Sequence, residues 1–333
     1  MMPGGALPDA RAPLAPDEAA AAFAAIFDGA VGEEELAAFL IAMAERGESV
    51  DEVVAAARAL RERMIPVDAP PGAIDVCGTG GDGKGTLNVS TAVAIVVAAC
   101  GVPVAKHGNR AASSRSGAAD VLRELGLDLD QPPVHAEATL AELGIAFLFA
   151  ANHHPVMARV AGVRRALGRR TIFNLLGPLA NPAQVRRQLV GVFARASVRP
   201  MALALGALGA EAAVTVHGAD GIDEISVAGP SFAVEWAGGV AGCERQSAPE
   251  DFGLLRHDAT ALNGGDAAFN AAAIGRLLAG EHGAYRDAVC LNAAAALRVA
   301  GRTWETRAGL ALAAEALDSG AARDLLARWI AYA

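Results

Sequence analysis

Aromatic residues, cysteine and positive charge are all scarce in this chain of 333 residues. Aromatic side chains make up 5% of the sequence, and the formal net charge at pH 7 is −9. This acidic balance argues against binding to nucleic acid, which usually requires a basic face. There are four cysteines, Cys77, Cys100, Cys243 and Cys290. Their wide separation excludes the close spacing of a cysteine metal site, and we expect reduced thiols in a cytoplasmic protein.

Long hydrophobic runs are also absent, although 53% of the residues are hydrophobic. The longest strongly apolar run, residues 92–100, is far shorter than the roughly 20 residues that a membrane-spanning helix needs. The first residues lack the basic region and the apolar core of a signal peptide. We therefore expect a soluble globular protein with no membrane partner, large enough for one large or two ordinary domains.

Apolar residues at helical spacing dominate the first part of the chain. Residues 1–16, rich in proline, alanine and glycine, are predicted to form a mobile tail. Three helices are predicted after it, over 17–27, 33–46 and 49–64, the last with Ser49 as its N-cap. We assign residues 17–66 to a helical domain, joined by helices from about 156–190, and residues 72–333 to a second domain.

Short apolar runs alternate with helical patterns after a proline-rich linker. Strands are predicted at 74–77, 102–105, 147–149, 212–216 and 232–235. Helices are predicted at 90–100, 118–126, 156–167, 201–208, 266–278, 291–300 and 303–325. Such alternation is typical of an α/β fold. The predicted architecture is a small helical N-terminal domain plus a larger α/β domain, whose mostly parallel central sheet is flanked by helices.

The glycine-rich loop, residues 75–91, is the most informative segment, with glycine at five of its seventeen positions. Glycine allows close approach of the backbone to a ligand, and a helix start presents unpaired N–H groups, so the loop indicates a phosphate site. It matches neither the P-loop spacing nor the dinucleotide fingerprint well, and a tight turn without a ligand is the alternative. The Asp82 carboxylate points in addition to a metal ion or a sugar hydroxyl.

A second polar segment, the basic loop of residues 106–117, follows another predicted strand. It carries three cations in an otherwise acidic chain, Lys106, Arg110 and Arg115. Polar residues at the carboxyl end of a parallel strand lie where open α/β sheets bind ligands. We therefore interpret this loop as an anion clamp, the alternative being an exposed basic loop.

Two later segments also contain reactive residue types. The adjacent histidines His153 and His154 diverge on a helix, which argues against zinc, and Arg164 taken alone is typical of a solvated cation. The acidic turn, residues 216–225, places Asp223 beside Glu224 after a predicted strand. Near a phosphate loop, paired carboxylates suit Mg²⁺, which takes oxygen ligands and bridges substrate phosphates, whereas without a ligand they would merely open the turn.

These four segments, with the Gly-Pro-Leu-Ala-Asn-Pro turn that ends at Pro182, resemble the anthranilate phosphoribosyltransferases of tryptophan biosynthesis over about residues 15–330. The resemblance implies transfer of phosphoribosyl from phosphoribosyl pyrophosphate (PRPP) to the anthranilate amine, with release of pyrophosphate. It also implies a homodimer and Mg²⁺ as the cofactor, with two ions per subunit.

The resemblance further implies a role for each matching residue. Binding of PRPP falls to Gly78, Gly81, Asp82, Thr86, Asn88, Val89, Ser90, Thr91, Lys106, His107, Gly108, Asn109, Arg110, Ala111, Ala112, Ser113 and Ser114. Binding of anthranilate falls to Gly78, Asn109, Arg164, His107 and His154, and binding of the metal to Ser90, Asp223 and Glu224. Lys106 and the paired acids would act electrostatically, with no general base. Ala118 stands where the family commonly has serine, a departure that concerns one phosphate contact and not the activity.

Two other functions fit parts of the sequence. A pyrimidine nucleoside phosphorylase of the same fold would need an inorganic phosphate site and no paired acids, so Asp223 and Glu224 weigh against it. A non-catalytic relative that binds nucleic acid would show a basic stripe and would have lost residues of the substrate site. The net charge of −9 and the intact motifs weigh against that alternative.

Overall fold

The computed structural model describes residues 7–111 and 115–332. The helices of this part are α1 (Pro16–Asp28), α2 (Glu33–Arg46), α3 (Val50–Arg61), α4 (Val89–Ala99), α5 (Ala118–Glu124), α6 (Pro133–Leu143), α7 (Ala150–His153), α8 (Met157–Leu167), α9 (Val198–Ala207), α10 (Ala267–Leu278), α11 (Ala284–Val299), α12 (Thr306–Asp318) and α13 (Ala321–Ile330). The strands are β1 (Ile74–Gly78), β2 (Val104–Gly108), β3 (Ile145–Phe149), β4 (Arg187–Gly191), β5 (Ala212–Gly218), β6 (Ser231–Ala237), β7 (Val240–Ala241) and β8 (Arg245–Ser247). No helix in the described ranges combines the length and the apolar character that crossing a membrane requires.

The strands form one sheet in the order β3-β2-β1-β4-β5-β6-β7, with β8 also paired to β6. The five strands β3, β2, β1, β4 and β5 pair in parallel, whereas β6, β7 and β8 form antiparallel pairs. This mostly parallel sheet confirms the predicted α/β architecture. The chain builds the sheet from β1 outward to β3 and then crosses to β4 on the other side of β1. Open α/β sheets bind ligands beyond the carboxyl ends of the strands at such a reversal. That point lies above Gly78 and Gly191, which pair at the ends of β1 and β4.

Two apolar clusters cover the two faces of the sheet. One packs α4, α11, α12 and α13 against side chains such as Val76 and Leu189. The other packs α1, α2, α3, α8 and α9 against Cys77 and Val190. Successive side chains of a strand point to opposite faces, so consecutive residues within β1, and likewise within β4, belong to different clusters. The N-terminal helices therefore pack against one face of the sheet through a shared apolar cluster.

The start of the chain packs against these helices through a buried carboxylate. The side chain of Glu52 accepts hydrogen bonds from Ser49 N at 2.8 Å and from Leu14 N at 2.9 Å. It also pairs with Arg46, whose Nη1 lies 3.0 Å from Oε2. Ala10 and Leu14 are buried and anchor residues 7–15 of the predicted mobile tail to the helices, while residues 1–6 lie outside the described residues. Composition could not show this contact because it joins residues far apart in sequence.

Several elements differ from the sequence-based expectation. The strand β4 was not predicted, because it opens with the polar pair Arg187-Gln188, although it lies at the centre of the sheet. The helix α6 was also missed. The single helix predicted over 303–325 is two helices, α12 and α13, separated at Gly320, whose φ of +79° suits glycine.

Candidate active site

The glycine-rich loop leaves β1 at the reversal of strand order and runs to the start of α4. Gly80, Gly81, Gly83 and Gly85 have φ between 61° and 73°, a left-handed conformation that residues with a Cβ rarely adopt. The far end of the loop is anchored, since Leu87 N donates a hydrogen bond to the carbonyl of Leu262 at 2.9 Å. The glycines therefore give the loop a curled backbone at the edge of the sheet where open α/β folds generally bind ligands.

The acidic turn folds across the ends of β1 and β4 and touches the glycine-rich loop. Gly80 N donates to Asp223 Oδ2 at 2.8 Å. A Cβ added to Gly78 would lie 2.3 Å from Asp223 Oδ2, and a Cβ added to Gly191 would lie 1.5 Å from the Asp223 carbonyl oxygen. Both glycines are thus required for the close approach of Asp223. Sequence reasoning included Gly78 but missed Gly191.

Three predicted segments meet around Ser90, in the first turn of α4. Its backbone N donates to Glu224 Oε1 at 3.0 Å. The buried Lys106 donates from Nζ to the carbonyl of Val76 at 2.7 Å and lies 3.4 Å from Ser90 Oγ. The structure therefore brings together the glycine-rich loop, the basic loop and the acidic turn.

The carboxylates of Asp82, Asp223 and Glu224 lie close together at this point, and the pKa values of Asp223 and Glu224 are raised. Burial, and next the charge of Asp82, raise the pKa of Asp223 to about 6. Burial and the charge of Asp223 raise the pKa of Glu224 well above its ordinary value. Oδ2 of Asp82 is buried and has no hydrogen-bond partner among the described residues.

This donor set fits a divalent cation. A cation would offset the repulsion between the carboxylates and restore their ionised forms. Within residues 7–111 and 115–332, no three His, Cys, Asp or Glu side chains are arranged to hold a metal by themselves. The carboxylates of Asp223 and Glu224 with the hydroxyl of Ser90 are instead a partial ligand set, of the kind that Mg²⁺ completes with water and phosphate oxygens.

Two buried histidines pack together near the end of β2. The rings of His107 and His154 meet edge to face with centroids 5.1 Å apart. Burial lowers the pKa of His107 to about 3 and that of His154 to about 4, so both are neutral at pH 7. Nδ1 of His107 lies 2.9 Å from the carbonyl of Gly177. Because a carbonyl only accepts, the proton sits on Nδ1, and Nε2 is a buried acceptor with no partner in the described part of the chain.

Arg164 projects from α8 as a half-buried cation. Its guanidinium lies 5.7 Å from the centre of the Phe173 ring, and burial lowers its pKa from the ordinary value for arginine. Among the described residues it forms no ion pair. A partly desolvated guanidinium without a carboxylate partner is suited to an anionic ligand, which the sequence alone could not distinguish from a solvated cation.

The basic loop is shaped by its own backbone contacts. Asn109 Oδ1 accepts a hydrogen bond from Arg110 N at 2.8 Å, and Ala111 N donates to Asp120 Oδ2 at 3.0 Å. Ala118, where the family pattern has serine, is the first residue of α5. Three predicted residues lie outside the described residues, Ala112, Ser113 and Ser114.

Gly108 is the last residue of β2, and four further predicted residues lie at the junction of the glycine-rich loop with α4. Thr86 forms an isolated bridge with Asn263. The side chain of Asn88 is engaged, since its Oδ1 accepts from Asn270 Nδ2 at 2.8 Å. The Val89 side chain is in the core, and Oγ1 of Thr91 is buried without a partner within the described ranges.

Several supporting residues were not predicted. Arg170 donates to the carbonyl of Gly81 and stacks 4.3 Å from the centre of the Phe193 ring. Tyr285 and Asn292 of α11 contact the glycine-rich loop and the acidic turn. No pattern in the sequence marks the two α11 residues, because they lie in an apolar helix remote from every motif.

Comparisons with known proteins show the family of the chain. The family model described as "Glycosyl transferase family, helical bundle domain" matches residues 9–64, and "Glycosyl transferase family, a/b domain" matches residues 70–323. The anthranilate phosphoribosyltransferase of Novosphingobium aromaticivorans is 58% identical over 325 residues, which cover 98% of each chain.

Solved structures of enzymes with the same name have the same fold. The crystal structure of the Thermus thermophilus enzyme has a TM-score of 0.92 at 46% identity and covers 97% of this chain and 96% of that one. The Saccharomyces cerevisiae enzyme in complex with PRPP and Mg has a TM-score of 0.87 at 27% identity. The same yeast enzyme in complex with 4-fluoroanthranilate has a TM-score of 0.83 at 25% identity. Both yeast structures cover 96% of this chain, which covers 93% of theirs.

Proposed function

This chain belongs to the anthranilate phosphoribosyltransferase family, and we propose that its reaction takes place in the crevice formed by the glycine-rich loop, the basic loop and the acidic turn. The enzyme is a pentosyltransferase of tryptophan biosynthesis. It transfers the 5-phosphoribosyl group of PRPP to the anthranilate amine and releases pyrophosphate. The meeting of Asp223 and Glu224 with the backbone of Gly80 and Ser90 is the observation that carries the assignment of the site.

The pyrophosphate half of the site would be built from that meeting point. Ser90, Asp223 and Glu224 would hold Mg²⁺, which when bound offsets negative charge on the departing pyrophosphate. Lys106, whose amino group reaches Ser90, would add a positive charge at the same place. Backbone N–H groups of the curled glycine-rich loop that donate no hydrogen bond within the described ranges, such as those of Gly81 and Gly83, would bind phosphate oxygens.

The anthranilate half would be built around Arg164. Its guanidinium, free of any ion pair in the described ranges, would bind the carboxylate of anthranilate, and Asn109 would orient the ring. His107 and His154 are neutral and would form an uncharged wall. The aromatic amine is already neutral at pH 7 and carries a free lone pair, so no strong general base is needed. Catalysis would therefore depend on positioning and electrostatics.

Three finer features remain proposals about this chain. Asp223 contacts Gly80 whereas Glu224 contacts Ser90, and this separation of the two carboxylates along the glycine-rich loop supports two Mg²⁺ ions per subunit. We further propose a homodimer in the cytoplasm. Light scattering of the purified protein gives the oligomeric state, and a monomer at micromolar concentration would contradict the dimer.

The direct test follows the fluorescence of anthranilate. Fluorescence should fall when PRPP and Mg²⁺ are added together with the enzyme, and it should persist when either is omitted. Asp223→Asn combined with Glu224→Gln should abolish this Mg²⁺-dependent turnover, and unchanged turnover would remove both residues from the metal site. The comparisons do not favour a pyrimidine nucleoside phosphorylase, and the same preparation should show no phosphate-dependent cleavage of pyrimidine nucleosides.

A further inference from the structure

The helix α11 touches both halves of the pyrophosphate site, although it contributes no predicted ligand. It runs through the core cluster on one face of the sheet, packed against α4 and α12. Tyr285 and Asn292 lie seven residues apart on it, so they point to the same side about two turns, or roughly 10 Å, from each other. One reaches the glycine-rich loop and the other reaches the acidic turn.

Asn292 clamps the backbone directly after Glu224. Its Oδ1 accepts from Ile225 N at 2.9 Å, and its Nδ2 donates to the Ile225 carbonyl at 2.9 Å. Nδ2 also donates to the carbonyl of Ala288 at 2.9 Å, one turn earlier in α11. The side chain is fully buried, and this third bond locks its orientation. An amide that satisfies both backbone groups of one residue fixes that residue in position and in rotation.

Tyr285 fixes the other loop at its junction with α4. Its hydroxyl donates to the carbonyl of Asn88 at 3.1 Å. Asn88 precedes α4, and Ser90 follows two residues later, with its backbone N bonded to Glu224. The same side of α11 therefore holds Ile225, which follows Glu224, and Asn88, which lies two residues before Ser90. The hydrogen bond between Ser90 and Glu224 joins the two held segments directly.

We propose that α11 is the frame that sets the separation of the glycine-rich loop from the acidic turn, with Tyr285 and Asn292 as positioning residues for the magnesium pyrophosphate site. This proposal rests on the function proposed above. Neither side chain touches substrate in it. Each acts through the backbone that carries Ser90 or Glu224, so its loss should weaken the binding of PRPP with Mg²⁺ and leave the anthranilate half unchanged.

The experiment compares Tyr285→Phe and Asn292→Ala with Thr215→Val. Thr215 is as fully buried as Asn292, and its hydroxyl donates to the Val198 carbonyl at 2.7 Å, but among the described residues its side chain forms no hydrogen bond to either loop. Calorimetric titration of PRPP at fixed Mg²⁺, without anthranilate, measures binding independently of turnover. A lost neutral hydrogen bond changes an equilibrium by about 3- to 10-fold, so the affinity for PRPP should fall by that factor in Tyr285→Phe and by at least that factor in Asn292→Ala, which loses both bonds to Ile225. The Mg²⁺ concentration for half-maximal binding should rise.

The control separates positioning from general stability. Thr215→Val should lower the melting temperature without changing the affinity for PRPP, and the KM for anthranilate should stay within about twofold in all three variants. If the α11 variants are less stable but keep the wild-type affinity for PRPP and the wild-type Mg²⁺ requirement, the positioning role of α11 is refuted. If Asn292→Ala does not fold, Tyr285→Phe decides alone, since it deletes a single oxygen. A wild-type protein that does not bind PRPP with Mg²⁺ would instead overturn the proposed function.

Discussion

Replacing Asp223 with asparagine should make the metal-free protein more stable at neutral pH. Asp223 sits at the strand ends against Gly78 and Gly191, with its carboxylate close to that of Asp82. Asparagine has nearly the same shape and keeps an oxygen that can accept the hydrogen bond from Gly80 N. The substitution therefore removes the charge and little else.

The magnitude follows from the pKa of this carboxyl group. Burial and Asp82 raise the pKa from 3.8, its ordinary value, to about 6 in the folded protein. A pKa raised on folding contributes stability that is complete below pH 4 and is lost as pH rises through 6. At about 1.4 kcal/mol per pKa unit, the wild-type protein should lose up to about 3 kcal/mol through this group between pH 4 and pH 7. Asparagine does not titrate, so the variant escapes this loss.

Urea unfolding of both proteins between pH 4 and pH 8, with a chelator present, measures the effect. The quantity of interest is the free energy of unfolding of Asp223→Asn minus that of the wild type, which should rise with pH across the window. Asp28→Asn is a control of opposite sign, because the hydrogen bond from Arg63 lowers the pKa of the exposed Asp28. Parallel pH profiles for Asp223→Asn and the wild type would refute the reasoning.

Other substitutions, two of them matched controls, test separate parts of the structure. Arg164→Ala should raise the KM for anthranilate about 10- to 100-fold and that for PRPP far less, whereas its exposed neighbour Arg165 should tolerate alanine; equal effects on both substrates would contradict the assignment. Gly191→Ala should yield little folded protein, because its Cβ would lie 1.5 Å from a backbone oxygen of the acidic turn. Gly275→Ala is the control, because a Cβ at this exposed helix position meets open space, and it should raise the free energy of unfolding by about 0.5–1 kcal/mol. Circular dichroism spectra that show both glycine variants equally folded would contradict the packing described. Glu52→Ala should lower the free energy of unfolding by about 3 kcal/mol, since it removes a buried charge partner and two backbone contacts, and an unchanged melting curve would show that residues 7–15 are not held by it.

Local features of the sequence predicted local features of the fold. The periodicity of apolar residues placed the N-terminal helices, and the alternation of short apolar runs with helical patterns indicated the parallel sheet. Ser49 was predicted as an N-cap, and its hydroxyl does accept from Glu52 N at 3.2 Å. The strand β4 escaped prediction because its opening residues are polar and only its position between β1 and β5 buries them.

The sequence by itself predicted the chemistry of the candidate site, whereas the tertiary structure decided its geometry. Residue type and spacing predicted a phosphate site in the glycine-rich loop and a magnesium site in the acidic turn, because backbone freedom and oxygen ligands are properties of short segments. Only the crossing from β3 to β4 brings Ser90 within a hydrogen bond of Glu224, 134 residues away. Burial at that junction raises the pKa of Asp223, and α11 holds both loops from the core. Long-range contacts depend on strand order and packing of the whole chain, which no local pattern encodes.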